Sequence, residues 1–275
     1  MGLRVNTNII SLAAQRNLAA VTNRLEGNFS RLSSGLRITS AADDPAGLGI
    51  SERMRAKLMS IQQASRNGQD GVSLVQTAEG SLGEVTSNLA RMRELSVQSA
   101  NGTLNTGDRA ALNAEFTALI TEIDRVAEQT DFNGINLLDG SNGVITIQIG
   151  SEASESIDIN MEDMTDSALG LTGGTFNLST VTNASAALAT IDSAIDSVTG
   201  FRADLGAIQN RMSSAIRSLA NSEQNLAAAE SRIRDVDVAR ETADLTRNSI
   251  LQQAAVSVLS QANTQPQIAL SLLQG

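Results

Sequence analysis

Apolar residues recur at gaps of three and four along both ends of the chain. Near the N-terminus they fall at Leu18, Val21, Leu25, Phe29, Leu32 and Leu36, the spacing that lines one face of a helix. Ala42-Asp43-Asp44-Pro45-Ala46-Gly47 interrupts the run. An Asp before Pro predicts a helix start, because the carboxylate caps free N–H groups and Pro fits the first turn. The helix that follows carries Val75, Ala78, Leu82, Val85, Leu89 and Met92, a strict 3-4-3-4-3 seam of coiled-coil type. It is expected to stop near Asn101-Gly102, where both residue types accept positive φ. Asp108 is read as the cap of a third helix bearing Leu112, Phe116, Leu119, Ile123 and Val126, ending near Phe132-Asn133-Gly134.

The middle of the chain changes period. Ile145, Ile147 and Ile149 alternate with polar residues, as do Ile157, Ile159 and Met161, and Gly150 to Glu155 lies between them. That pattern predicts a β-hairpin. From Met164 to Thr182 the chain is rich in Gly, Thr, Ser and Asn and reads as a loop-rich excursion. A seam then resumes through Leu188, Ile191, Ile195, Val198, Phe201, Leu205, Ile208, Met212, Ile216 and Leu219 to Leu226 and Ile233. As one helix from Ala184 to Ile233 it would run roughly 75 Å, and it needs partners of similar length. The fold class expected is mainly α: a long, elongated coiled-coil-like bundle with a small β-hairpin region.

The two ends cannot stand alone. Six large apolar side chains between Leu18 and Leu36 contribute roughly 1.5–3 kcal/mol each if buried. Ordering a segment of that kind costs on the order of 1.5 kcal/mol per residue. The segment from Val236 to Leu273 is similar, with Ile250, Leu251, Leu259, Ile268 and Leu272 set among Ser, Gln, Asn and Ala. Both ends are therefore expected to fold against each other and against neighbours, so that ordering accompanies association.

Composition sharpens this picture mainly through what is missing. Aromatic residues make up 2% of the chain, all Phe, against 41% hydrophobic, which suits narrow helix seams better than a thick globular core. The absence of Cys and His removes the thiol nucleophile, the disulfide framework, the commonest general base and the commonest transition-metal ligand. No catalytic residue, metal site or cofactor is expected. A net charge of −10 with Arg scattered among acids argues against nucleic acid as a partner, and no apolar run has the length for membrane insertion. Met1 to Asn6 lacks the layout of a cleaved signal peptide, so general rules alone place the protein in the cytoplasm.

Five blocks of the sequence resemble the bacterial flagellins. Leu32-Ser33-Ser34-Gly35-Leu36-Arg37-Ile38 with Asp43-Asp44-Pro45-Ala46-Gly47-Leu48 is similar to that family's N-terminal signature, and Gln69 to Gly80 to its next block. Glu122-Ile123-Asp124-Arg125 with Phe132-Asn133-Gly134 forms the third, Ala229 to Asp237 the fourth and Gln261 to Gln267 the fifth. The resemblance implies a secreted, extracellular subunit of the flagellar filament that polymerises with copies of itself and supports swimming. It implies inner-tube segments at 1–43 and 236–275, whose helices pair into an inner coiled coil. Rod segments are expected at 44–183 and 184–235, with the hairpin at about 144–161 and a reduced outer region at about 162–183. Candidate subunit-packing residues are Leu18, Val21, Leu25, Phe29, Arg31, Leu32, Leu36, Ile250, Leu251, Leu259, Ile268 and Leu272. The resemblance also implies an export chaperone, a cap and hook-junction proteins as partners. It further implies recognition by the vertebrate toll-like flagellin receptor through Leu89, Arg91, Leu95, Gln98 and Glu115.

Other features have plainer readings. Glu162, Asp163 and Asp166 read as a solvated acidic turn rather than a metal site, since no complete ligand set surrounds them. Gly170, Gly173 and Gly174 read as turns, because no Lys-Ser/Thr follows to complete a phosphate loop. The glycan-acceptor patterns at Asn28, Asn101, Asn177 and Asn183 are chance matches in a Ser/Thr/Asn-rich chain. Arg31 and Arg37 are read either as partners of acids on a neighbouring subunit or as part of a charged helix face. The competing functions are a hook–filament junction protein, an adhesin on a coiled-coil stalk, and an enzyme. The last needs an H-E-x-x-H helix that a His-free chain lacks.

Overall fold

The structure, a computed structural model, describes residues 7–174 and 176–274, with backbone alone from 266 onwards. In chain order the described residues form α1 (Ile9–Ser34), α2 (Pro45–Ser99), α3 (Thr106–Gln129), β1 (Asp131–Phe132), β2 (Ile135–Asn136), β3 (Val144–Gln148), β4 (Ser156–Asn160), α4 (Val181–Arg234) and α5 (Val238–Gln274). The helix boundaries follow from capping chemistry. Asn8 Oδ1 accepts the Ser11 N–H at 3.1 Å to open α1, and Gly35, at φ 72°, closes it in the left-handed conformation that glycine adopts most easily. Asp44 accepts the Gly47 N–H at 2.9 Å at the head of α2, as the Asp-Pro pair predicts.

Two expected boundaries need correction. The cap of α3 is Asn105, and Asp108 is its reciprocal partner three residues on. Asn105 Oδ1 accepts the Asp108 N–H at 2.9 Å and Asp108 accepts the Asn105 N–H at 3.2 Å. This capping box satisfies two orphan donors where a lone Asp satisfies one. At its other end α3 stops at Gln129, and Phe132-Asn133-Gly134 belongs to a tight hairpin that pairs Asp131 with Asn136 and Phe132 with Ile135. Asn133 and Gly134 both carry positive φ, 53° and 78°, the backbone that a two-residue hairpin turn demands.

The chain divides into two compact units, residues 57–224 and residues 1–56 with 225–275. The unit 57–224 holds the main hydrophobic core. Val75, Ala78, Leu82, Val85, Leu89, Met92 and Leu95 of α2 are buried there, with Phe116 and Ile123 of α3 and Ile191, Val198, Phe201, Leu205 and Met212 of α4. The seam read from the heptad spacing is thus the buried face. β3 and β4 pair antiparallel, Ile145 opposite Ile159 and Ile147 opposite Ile157, and all four isoleucines face this core.

The segment from Met164 to Thr182 is not a free excursion. Among its described residues there is no strand and the only helical ones are the first two of α4, yet Met164, Leu169, Leu171 and Leu178 are buried and Phe176 packs on Phe116 with ring centroids 5.2 Å apart. Its backbone is satisfied by the same unit: Met164 N–H donates to Leu138 C=O, and Leu178 N–H to Asn113 Oδ1. Gly and Thr set the path, with Gly170 and Gly173 in positive φ, while the spaced apolar residues pin it down.

Leu89→Ala should destabilise the unit 57–224 by about 2–5 kcal/mol, the usual cost of a cavity at a sealed core position. Met59→Ala, at a side chain left 55% exposed, should stay within about 0.5 kcal/mol. Urea unfolding followed by far-UV circular dichroism checks both.

Candidate assembly surface of the terminal helices

In the unit formed by the two chain ends, α1 and α5 pack antiparallel and close together. Asn8 Nδ2 donates to Ala262 C=O at 2.7 Å and Ser11 Oγ donates to Asn263 Oδ1 at 2.7 Å. Toward the other end, Asn28 Nδ2 donates to Glu241 Oε1 at 2.5 Å, and Asn248 Nδ2 donates to Asn28 Oδ1 at 2.8 Å.

The contacting face follows a heptad rule on both helices. On α1 it runs through Ser11, Ala14, Leu18, Val21, Leu25, Asn28 and Leu32, and on α5 through Glu241, Leu245, Asn248, Gln252, Ala255, Leu259 and Ala262. Each of these residues is buried or half-buried. The fully buried ones are small or polar: Ser11, Ala14, Asn28, Glu241 and Ala262. Small side chains let the backbones approach, and the polar ones satisfy each other, which a buried Asn and a buried carboxylate require.

This seam leaves large apolar side chains outside it. Ile9, Ile10, Leu12 and Phe29 on α1 are exposed, as are Val238, Ile250, Leu251, Val256 and Val258 on α5; Phe29 is 57% and Ile250 60% accessible. Of the residues expected to pack subunits, Leu18, Val21, Leu25, Leu32, Leu36 and Leu259 are half-buried within the chain, while Phe29, Ile250 and Leu251 face outward. Ile268 and Leu272 lie outside the described side chains. Arg31 has its partners in its own chain, Glu241 at 3.6 Å and Asp43 at 3.8 Å. Arg37 likewise donates from Nη2 to Ile233 C=O at 2.6 Å. Both arginines thus have partners within their own chain, and the Arg31 side chain stays 36% exposed.

Asn28, Glu241 and Asn248 are seam residues that apolar spacing does not reveal. Asn28 continues the 3-4 spacing from Leu25 to Leu32, whereas Phe29 falls beside it and faces outward.

The turn entering α2 is held by one carboxylate. Asp43 Oδ2 accepts from Thr39 Oγ1 at 2.9 Å, Ser40 N–H at 3.0 Å, Ser40 Oγ at 3.1 Å and Thr39 N–H at 3.2 Å. The Thr39 hydroxyl, followed by the Ser40 N–H and hydroxyl, holds its pKa below the ordinary 3.8.

The second candidate surface lies in the unit 57–224. Arg91 Nε donates to Glu115 Oε1 at 2.8 Å and Arg91 Nη1 to Glu94 Oε2 at 2.9 Å, and Gln98 is exposed. Leu89 and Leu95 are fully buried. A protein docking on intact helices therefore meets Arg91, Gln98 and Glu115 and not the two leucines. In the acidic turn, Asp163 accepts from Thr165 Oγ1 at 2.7 Å. The pKa of Asp166 is raised by burial and then by the neighbouring Asp124. Among the described residues no cluster of three or more acidic side chains could hold a metal, and no helix is long and apolar enough to cross a membrane.

Comparison with known proteins bears on the whole chain. The N-terminal helical region of bacterial flagellin matches residues 5–143, and the C-terminal helical region matches 188–273. Flagellin of Halalkalibacterium halodurans is 46% identical over 270 residues, covering 98% of this chain and 99% of that protein. The flagellar filament 30.7 kDa core protein of Treponema maltophilum is 42% identical over 98% of this chain and 99% of its own length. A crystal structure of Bacillus cereus flagellin is 36% identical with a TM-score of 0.51, covering 60% of this chain and 94% of that one.

Because the pKa of Asp43 is depressed in the folded chain, its stabilising effect is present above 3.8 and is lost as pH falls through the lower folded value. Asp43→Asn should loosen the 39–47 turn at neutral pH and converge with the parent chain in acid. Amide hydrogen exchange at Thr39 and Ser40 across an acid titration reads the difference.

Proposed function

This chain belongs to the bacterial flagellin family, and from that premise we propose that its terminal helices enter the flagellar filament through the apolar residues their own pairing leaves uncovered. The protein is a structural subunit of the extracellular flagellar filament, and its family is one of structural proteins rather than enzymes. One observation carries the proposal: with α1 and α5 paired through a seam of buried small and polar residues and half-buried leucines, Ile9, Ile10, Leu12, Phe29, Ile250, Leu251 and Val256 stay exposed. An exposed apolar set of that size marks an interaction surface. Covering it with neighbouring copies gives roughly 1.5–3 kcal/mol per large side chain, which adds to the weak pairing of the two ends within one chain.

In this reading residues 1–43 and 236–275 form the inner-tube part of each subunit, and the helices between them the rod. The half-buried Leu18, Val21, Leu25, Leu32, Leu36 and Leu259 set the intramolecular pair, on which Phe29, Ile250 and Leu251 are presented outward. Before assembly the same surface needs a cover, which is the chemistry an export chaperone supplies. Cap and hook-junction proteins would meet it at the two ends of the polymer.

Seeded assembly tests this. Phe29→Asp and Ile250→Asp should each raise the critical concentration about tenfold to a hundredfold, the equivalent of losing one buried apolar side chain. Circular dichroism of the monomer should stay unchanged. Protein trimmed of 1–40 and 236–275 should form no filaments by electron microscopy. Trimmed protein that assembles as well as the full chain would place the essential contacts in the rod and overturn the proposal.

The exposed face of Arg91, Gln98 and Glu115 is proposed as the contact for the vertebrate toll-like flagellin receptor, with two carboxylates holding the guanidinium in a fixed pose. Reporter cells bearing that receptor should respond to purified monomer, and Arg91→Ala should weaken the response at least about tenfold, as truncation of an anchoring Arg does at interfaces. Cells that ignore the parent monomer would end this assignment.

A further inference from the structure

The chain contains four Asn-Gly steps, at Asn67, Asn101, Asn133 and Asn142. This dipeptide is the one most open to intramolecular attack by a backbone nitrogen on a side-chain amide, because glycine places no Cβ beside the nucleophile. The fold treats the four very differently.

Three are braced. Asn67-Gly68 lies inside α2, where the Gly68 N–H belongs to the helical hydrogen-bond ladder. Asn67 Nδ2 donates to Gln148 C=O at 3.1 Å, and its Oδ1 accepts from Gln63 at 2.9 Å. In the β1–β2 turn the Gly134 N–H is held by Asp131 Oδ2 at 2.9 Å, so the attacking nitrogen is occupied by a carboxylate. Asn142 Nδ2, the leaving nitrogen, donates to Asn136 C=O and to Ser141 Oγ, both at 3.0 Å.

Asn101 is the opposite case. It is exposed between α2 and α3, and among the described residues neither its Nδ2 nor the Gly102 N–H has a protein acceptor. Its Oδ1 accepts the Thr103 N–H at 3.1 Å, an Asx turn that ties the side-chain carbonyl to the backbone on the far side of Gly102. The same N–H stands where negative charge would develop on that oxygen. The peptide that must lose its proton is activated as well: Arg109 Nη2 donates to the Asn101 C=O at 2.9 Å, with Nε anchored on Ser99 C=O at 3.1 Å. A cation on the carbonyl makes the adjoining Gly102 N–H more acidic.

We propose that Asn101 is a self-modifying site, converting without an enzyme to a mixture of isoaspartate and aspartate. The Gly102 nitrogen attacks Asn101 Cγ and gives its proton to water. The new N–Cγ bond forms as the Cγ–Nδ2 bond breaks, and ammonia leaves a succinimide. Water then adds to either ring carbonyl and reopens the ring. The product carboxylate stands beside Arg109, which changes the charge of the α2–α3 turn, and the isoaspartate form also lengthens its backbone. In an extracellular subunit this marks the age of each copy, and the assignment does not depend on how the ends assemble.

The test incubates the full chain at mildly alkaline pH in oxygen-labelled water, folded or in urea, and follows the four sites by tandem mass spectrometry. In urea all four should react at similar rates. Folding should slow Asn67, Asn133 and Asn142 at least about fivefold, the effect of one hydrogen bond that must break first, and leave Asn101 at or above its unfolded rate. Gly102→Ala serves as the chemical control. Beyond its chain neighbours no atom lies within 4 Å of the added Cβ, so the fold is kept while the Asn101 reaction falls severalfold. Equal slowing of Asn101 with the other three, or label uptake there without isoaspartate, would overturn the proposal.

Discussion

Side chains more than two hundred residues apart meet at the polar seam between α1 and α5, and this pairing governs how the chain's ends are used. Asn28 stands at its centre, donating to Glu241 and accepting from Asn248. A buried carboxylate and a buried amide tolerate only those sliding positions that keep their partners matched. A single polar residue in an otherwise apolar heptad seam is a known way of fixing register at a cost in stability. Here Ser11 with Asn263, and Asn8 with the Ala262 carbonyl, add matched points further along.

The cost has a consequence. Leu18, Val21, Leu25, Leu32, Leu245 and Leu259 are only half-buried in the seam, so the pair gains less from the hydrophobic effect than a sealed core does. Further large apolar groups, Phe29 and Ile250 among them, sit on the outer faces, where no described residue of the chain covers them. The matched polar contacts of the pair and the apolar surface it leaves open thus belong to different residues of the same helices. Gly35, Arg37 and Asp235 reinforce the arrangement by stitching the end of α1 to the link before α5, where Val236 N–H donates to Gly35 C=O.

The unit 57–224 is built on the opposite plan. Its heptad positions are occupied by Leu, Val, Ile and Met that pack fully out of water, with Phe116 the largest side chain sealed inside. Charged residues such as Arg91, Arg93 and Glu115 remain at the surface and pair there. Exposed pairs of this kind add little to stability, so the core sets the fold and the ion pairs set the pattern of charge a partner would meet.

Features that depend on local periodicity and local chemistry were legible from the residues alone. The seam from Val75 to Met92, the Asp44-Pro45 helix start, the Ile145–Ile159 hairpin and the long fourth helix were all readable, because each is dictated by spacing of three, four or two and by turn residues. Family membership was readable as well, from blocks at both ends. The tertiary structure decided what depends on partners distant in sequence. Asn105 rather than Asp108 caps α3, because the two satisfy each other. Met164, Leu171 and Leu178 tie down a segment whose composition resembles free loop, because a core lies within their reach. Leu89 and Leu95 are sealed in, while Arg91 between them is not. Asn28, not Phe29, enters the terminal seam, because a carboxylate on α5 awaits it there; periodicity names the face of a helix, and only the opposing surface determines which residues on it are buried.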